Sequence, residues 1–303
     1  MIALTTLENE QLRLRIAPEA GASIVSLALR DGARWIDVMR PTPPEALQSG
    51  NSSDMSCFVL VPYSNRIEGA RFRFDGREYA LRPNTADGHA IHGDVRKRPW
   101  ETTDVGPTRA RLRFESRRFA DVNFPFPFRV NLGYEIAATT FCAELELENA
   151  GTEPMPAGMG FHPYYRRTLL HPDEKVELQA RVTGAYTGTI PTAPAGPITP
   201  AQDFTASRAL LDADFDTCFA GWDGSATIRW PGSRLRAEIS CEAPLRHLIL
   251  FTPPGEPFFA LEPVSNANNG FNLFADGDTD SGVRVLEPGQ TMAASFRLHL
   301  VRE

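Results

Sequence analysis

Two residues in this chain are of types that could exchange protons. Glu262 follows the apolar run Phe258-Phe259-Ala260-Leu261 and immediately precedes Pro263, which puts a carboxylate at the end of a buried strand. Desolvation raises a carboxyl pKa, and that is how a glutamate becomes a useful base near neutrality. His162 lies in Gly158-Met-Gly-Phe-His-Pro-Tyr-Tyr165, among aromatics and before a proline. Each has a structural alternative: Glu262 satisfied by an arginine at a strand end, His162 hydrogen-bonded in the core or at its rim. Position alone leaves Glu262 open between the two and favours the structural role for His162.

Other polar groups cluster around these. Asn65-Arg66 precedes a hairpin and His89/His92 follow it; Asp214-Phe-Asp216-Thr-Cys218-Phe219 and the asparagine-rich run from Phe259 to Asn272 come later. His89-x-x-His92 is weak as a metal pair, because residues three apart in an extended segment point to opposite faces and no third ligand follows at a familiar spacing. The chain holds no P-loop, GxGxxG or GxSxG, so no nucleotide, metal or covalent nucleophile is expected, and the cofactor expectation is none.

The elements that must position these residues read as strands. Phe72 and Phe74 alternate with Arg71 and Arg73, Asp75-Gly76 makes the turn, and Arg77 to Leu81 returns. A two-residue Asp-Gly loop pairs Phe72 with Tyr79 and Arg73 with Glu78, which carries Arg66 in at one end and delivers His92 at the other. Period-two alternation recurs at Leu12/Leu14/Ile16, the 21–27 segment, Leu112/Phe114, Leu145/Leu147, Ile228/Trp230 with Leu235/Ala237/Ile239, and Val283/Val285 before Phe296/Leu298/Leu300. No segment sustains a 3.6-residue period, and residues 42–53 hold one short helical turn at most. Short strands between Gly/Pro turns predict an all-β fold, a large antiparallel β-sandwich or barrel. The Pro/Gly-rich stretch 184–200 is flanked by the same strand pattern, so it reads as a surface loop within one domain spanning 1–303.

A net charge of −7 argues against nucleic-acid binding, and 42% apolar with 23% charged residues argues against disorder. The N-terminus is acidic and alternating, unlike a signal peptide, and no apolar run approaches a membrane span. Cys57, Cys142, Cys218 and Cys241 lie far apart without CxxC spacing, which fits buried thiols in a reducing cytoplasm.

Asn65-Arg66-Ile67, Gly69, the Phe72-x-x-Asp75-Gly76 turn, Asn84 and His92-Gly93 occur in the order that resembles the aldose 1-epimerase (galactose mutarotase) family. His162-Pro-Tyr-Tyr165, Asp216-Thr-Cys-Phe219, Glu262-Pro263 and Pro288-Gly289 continue that order toward the C-terminus. Asp94 stands where the family shows a second glycine, Arg166-Arg167 where Asn-Leu is usual, and Pro-Val-Ser-Asn follows Glu262 in place of the galactose-type sequence. The resemblance implies a mutarotase-like supersandwich and interconversion of the α and β anomers of a free aldose. It implies Glu262 as base on the C1 hydroxyl, His162 as acid at the ring oxygen, and Arg66, His92, Asp216 and Asn65 on the sugar. One of Trp35, Phe124, Phe126, Tyr164 or Phe271 would stack on the sugar face. The expected partner is a small-molecule sugar, handled by a monomer or homodimer. Two alternatives stay open: an anionic sugar, with Arg96-Lys97-Arg98 and Arg166-Arg167 as candidate cations, and a non-catalytic carbohydrate-binding module of the same fold.

Overall fold

The computed structural model describes residues 2–210 and 214–303. Two large antiparallel sheets dominate, one of ten strands and one of nine among the described residues. The centre of the larger sheet runs, in spatial order, Ser23–Asp31, Cys57–Leu60, Gly160–Arg166, Phe258–Val264, His247–Phe251, Asp216–Ala220 and Gly184–Ala185. The nine-stranded sheet is centred on Phe128–Ala137, Thr140–Asn149, Thr291–Arg302 and Leu235–Cys241.

Alternation explains why the sheets stack. Arg109–Glu115 buries Ala110, Leu112 and Phe114 and leaves the arginines between them outside. In the larger sheet Val59, Phe161, Leu261, Leu250 and Phe219 point inward and join one apolar cluster with Leu145, Phe296 and Leu298 of the other sheet. The Phe161 and Phe296 rings meet at 5.4 Å, and the Tyr134 hydroxyl donates across the layers to the Ala22 carbonyl at 3.0 Å.

The hairpin has the expected register, Phe72 opposite Tyr79 and Arg73 opposite Glu78, with Asp75 and Gly76 both at positive φ. The 42–53 region holds the single turn of helix Pro44–Ser49 and a 3₁₀ turn, Ser52–Asp54. The 184–200 stretch is tied to the sheet edge through Gly184–Ala185. Arg284–Leu286 pairs with Met155–Ala157, and the Glu287–Gln290 turn leads into the other sheet. One expectation is corrected. Pro263 does not end its strand, which continues to Val264, so Glu262 sits inside the sheet. The four cysteines are free thiols, with Cys142 half-buried and the others buried.

Candidate active site

His162 and Glu262 are opposite one another on adjacent central strands. Gly160 faces Val264 and Tyr164 faces Ala260, so the same register puts His162 across from Glu262. The Ser265 N–H bond to the Met159 carbonyl, at 2.8 Å, sets the phase of the ladder and makes this a narrow, non-hydrogen-bonded pair. Side chains approach most closely at such pairs. The two bonds that would flank it need the N–H groups of residues 163 and 263, and both are proline. His162 Nε2 lies 3.2 Å from Glu262 Oε1, with the side chains 6% and 2% exposed.

The rung extends on either side, with Phe58 beside His162 and Ile249 then Cys218 beyond Glu262. These side chains point away from the shared core and form a separate buried cluster with Tyr164, Ala260 and Val264. The His162 ring lies between Phe58 and Tyr164, 4.5 Å from each. Asp216, two residues before Cys218 on the same strand face, sits 3.5 Å from Arg66.

Arg66 and His92 arrive on a strained clip. Asn65 and His92 are both at positive φ, the His92 N–H donates to the Asn65 carbonyl at 3.0 Å, and Arg66–Ile67 pairs with Ala90–Ile91. Gly93 is required by contact as well as by its φ of 63°, because a Cβ there would enter the Val61 carbonyl. The Asn65 N–H donates to His92 Nδ1 at 3.3 Å, so Nδ1 is the acceptor nitrogen and Nε2–H is left as a donor. The His92 ring meets His162 edge-on at 5.1 Å. Asn65 Oδ1 accepts from the Arg66 N–H and Nη1, so this side chain orients Arg66.

Burial governs the electrostatics. It pushes Glu262 well above the ordinary carboxyl range, helped by Asp216 and opposed by Arg66. It holds His162 well below the ordinary imidazole value, helped by Arg40 and Arg96, and does the same to His92. The expected resting pair of imidazolium and carboxylate is thus displaced toward neutral imidazole and carboxylic acid. Either way the pair holds one proton between its two heavy atoms. Burial also raises Asp216, against Arg66.

Arg66, His92, Asp216, His162 and Glu262 are thus brought together, while other candidates are not. Trp35 lies under Arg13 and Arg30, and Phe124, Phe126 and Phe271 pack around Phe72 or Tyr79. Of the five aromatics, Tyr164 alone touches His162 among the described residues. His89 Nδ1 accepts from the Gly69 N–H and stays outside the site. The asparagines after Glu262 are braces: Asn266 bonds Ser64, Asn269 bonds Glu68 and Pro191, and Asn272 bonds Arg71. Arg98 is engaged by Asp94 and Asp121, and Arg166 reaches the Asp37 carbonyl, which leaves Arg96 as the member of those basic runs near His162. Phe58 and Arg40 escape sequence reading, since an aromatic in Cys57-Phe-Val-Leu60 and an arginine before Pro-Thr-Pro-Pro carry no signal of chemistry.

Comparisons with known proteins bear on the family and the fold. Residues 3–299 match the family described as aldose 1-epimerase. The uncharacterized protein YphB of Escherichia coli K12 is 28% identical, with 99% of each chain covered. YihR of the same organism, also uncharacterized, is 32% identical over 80% of this chain and 78% of its own. A solved E. coli K12 structure, provisionally described as an aldose 1-epimerase, superposes with TM-score 0.85 at 27% identity over 99% of both chains. A galactose mutarotase-like protein of Clostridium acetobutylicum shares the fold at TM-score 0.84 and 17% identity, covering 100% of this chain and 99% of its own. With its family match spanning nearly every residue, this chain belongs to the aldose 1-epimerase family.

Proposed function

We propose that the protein is an aldose 1-epimerase that interconverts the α and β anomers of an aldose by opening and closing the ring. The observation that carries this reading is the buried contact between His162 and Glu262 at 3.2 Å, one imidazole and one carboxyl within hydrogen-bond reach. Mutarotation needs one proton removed from the C1 hydroxyl and one delivered to the ring oxygen. With the sugar bound, Glu262 as carboxylate takes the O1–H proton while protonated His162 gives its proton to the ring oxygen. The C1–ring-oxygen bond breaks as the O1 electrons form the carbonyl. The pair then stands as carboxylic acid and neutral imidazole, still holding one proton and no net charge. Rotation about C1–C2 presents the other carbonyl face, and closure runs the same transfers backward. The two proton placements are therefore the states before and after ring opening, and burial favours the second. Transfer between the two groups at contact distance returns the empty enzyme from one to the other.

His92 Nε2–H donates to the sugar oxygens as a neutral group. Arg66 and Asp216 supply a donor and an acceptor beside the C1 end and C2, near Glu262, which both influence. Positioned acid and base groups each contribute about 10²- to 10⁴-fold, enough for a reaction that already proceeds in water. The test is polarimetry on freshly dissolved anomers, followed by NMR exchange measurements on a wider sugar panel. Accelerated exchange lost in both Glu262→Gln and His162→Asn is the expected result; sugar binding with no acceleration on any sugar would leave only a binding module.

A further inference from the structure

Two cations at the site, one buried and one half-buried, have no anion in contact among the described residues. Arg96 is 5% exposed, and Arg40 is half-buried beside it. Their hydrogen bonds go to neutral groups: Arg40 Nη2 to the carbonyls of Ser53 at 2.9 Å and Met55 at 2.7 Å, and Arg96 Nη1 to the Ser53 hydroxyl. Neither Nε has a partner. Among the described residues no carboxylate lies within 4.0 Å of either guanidinium. Asp54 and Glu256 act on Arg40, and Asp94 on Arg96, only from longer range, and Asp94 is already held by Arg98 at 2.8 Å. A buried guanidinium without a counter-ion is costly, and two sharing one serine repel each other.

Both are held firmly. The Arg40 N–H donates to the Tyr164 carbonyl at 2.8 Å, and the Arg96 backbone lies so close to Gly21 that a Cβ there would overlap it. Arg40 Cζ is 3.7 Å from the centre of the Tyr164 ring, and Arg96 Cζ is 5.2 Å from that of Phe58. These are the two rings that enclose His162. The site therefore has two ends, with Arg66 and Asp216 on the Glu262 side and Arg40 and Arg96 against the two rings that enclose His162.

Sugar connectivity turns this into a statement about substrate. In an aldopyranose the ring oxygen joins C1 to C5, and C5 carries the exocyclic carbon. With O1 at Glu262 and the ring oxygen at His162, the exocyclic arm leads past His162, toward Arg40 and Arg96. We infer that the substrate is an aldose bearing an oxyanion (carboxylate, phosphate or sulfonate) on that exocyclic carbon, bound by Arg40 and Arg96. Guanidinium forks suit such oxyanions. Placing the anion on that carbon rests on the mutarotase reading; the presence of an anion site does not.

The experiment measures anomer exchange by NMR on glucose, glucose 6-phosphate, glucuronate and 6-deoxy-6-sulfoglucose, with binding of each by calorimetry. At least one anionic sugar should exceed glucose in kcat/KM by about 100-fold, two charge-assisted contacts at about tenfold each. Which one does so identifies the oxyanion. Arg96→Gln and Arg40→Gln should each remove about tenfold or more of that preference, read as the ratio of kcat/KM for the anionic sugar to that for glucose and carried by KM, as one charge-assisted contact predicts. A merely structural role for the arginines would instead lower exchange on all four sugars together. That result, or equal kcat/KM for glucose and all three anions, would overturn the inference and leave the mutarotase reading standing. No exchange on any sugar, with arginine-dependent binding of an anionic one, would overturn the mutarotase reading and leave the anion site standing.

Discussion

Among the described residues, two cross-strand histidine–glutamate pairs share their chemistry and differ in water and in competing partners. On the outer face of the nine-stranded sheet, Glu238 faces His299 with 3.3 Å between Oε2 and Nδ1, side chains 44% and 46% exposed. On the larger sheet, Glu262 faces His162 at 3.2 Å, side chains 2% and 6% exposed. Glu238 also bonds Arg236, and that contact draws its pKa down. Glu262 has no arginine in contact and is driven up by burial. Neighbouring carboxylates on the outer face are spent the same way as Glu238, Glu144 on Arg111 and Glu148 on Arg129. Residue type and spacing therefore do not make a proton-transfer pair; a dry environment without competing partners does.

The comparison can be broken most directly by mutation. Glu262→Gln and His162→Asn should each lower kcat for anomer exchange by about 10²- to 10⁴-fold. Glu238→Gln and His299→Asn should leave it unchanged, and an equal loss at the exposed pair would refute the argument from burial. Arg66→Ala should reduce kcat/KM by about tenfold or more, the value of one hydrogen bond to a charged group. If it instead unfolds the protein on mild heating, the Arg66–Asp216 contact is structural.

The pH profile sharpens the same contrast. The working pair holds one proton. A second proton would put a cation on buried His162, so the acid limb of kcat/KM should lie below the ordinary imidazole value of 6.5. Loss of the first would strand a buried carboxylate, so the basic limb should lie above the ordinary carboxyl value of 4.5. Because Arg66 lowers the Glu262 pKa, Arg66→Ala should move the basic limb further up; a limb that stays in place would break that link.

Stability should follow pH by the same accounting. His92, His162 and His247 have folded pKa values below 6.5, so under that pH the unfolded chain binds their protons and the folded chain does not. Their contribution is complete above 6.5 and is lost as pH falls. Glu262 and Asp216 are raised and act in the opposite sense. Three imidazoles outnumber two carboxyls, so the net expectation is stability lost as pH falls below 6.5. Thermal melts across that range check the sign. The smallest effect is expected for Glu238→Gln, within about 0.5 kcal/mol of the parent, since exposed pairs contribute little.

Local features were legible in the sequence because their causes are local. The Asp75-Gly76 turn fixes the hairpin register, and alternation at Leu112/Phe114 or Leu145/Leu147 fixes which side is buried. The polar site residues were legible through their order along the chain. What could not be read is adjacency: residues 58, 162, 249 and 262 share one rung through pairings across very long sequence separations. Phe58 and Arg40 acquire meaning only from that rung. Pro263 misled for the reverse reason, since a proline within a central strand contradicts local preference, and here the strand runs through it to Val264.

Pro163 and Pro263 have a further consequence. With no amide hydrogens at residues 163 and 263, the two backbone bonds that would flank His162 and Glu262 are missing. The separation of these two side chains then leans on what lies beneath, Phe161 and Leu261 pressed into the interior. Trimming either floor residue should then alter turnover although it never meets a sugar, which makes the hidden packing of this sheet the gauge of its chemistry.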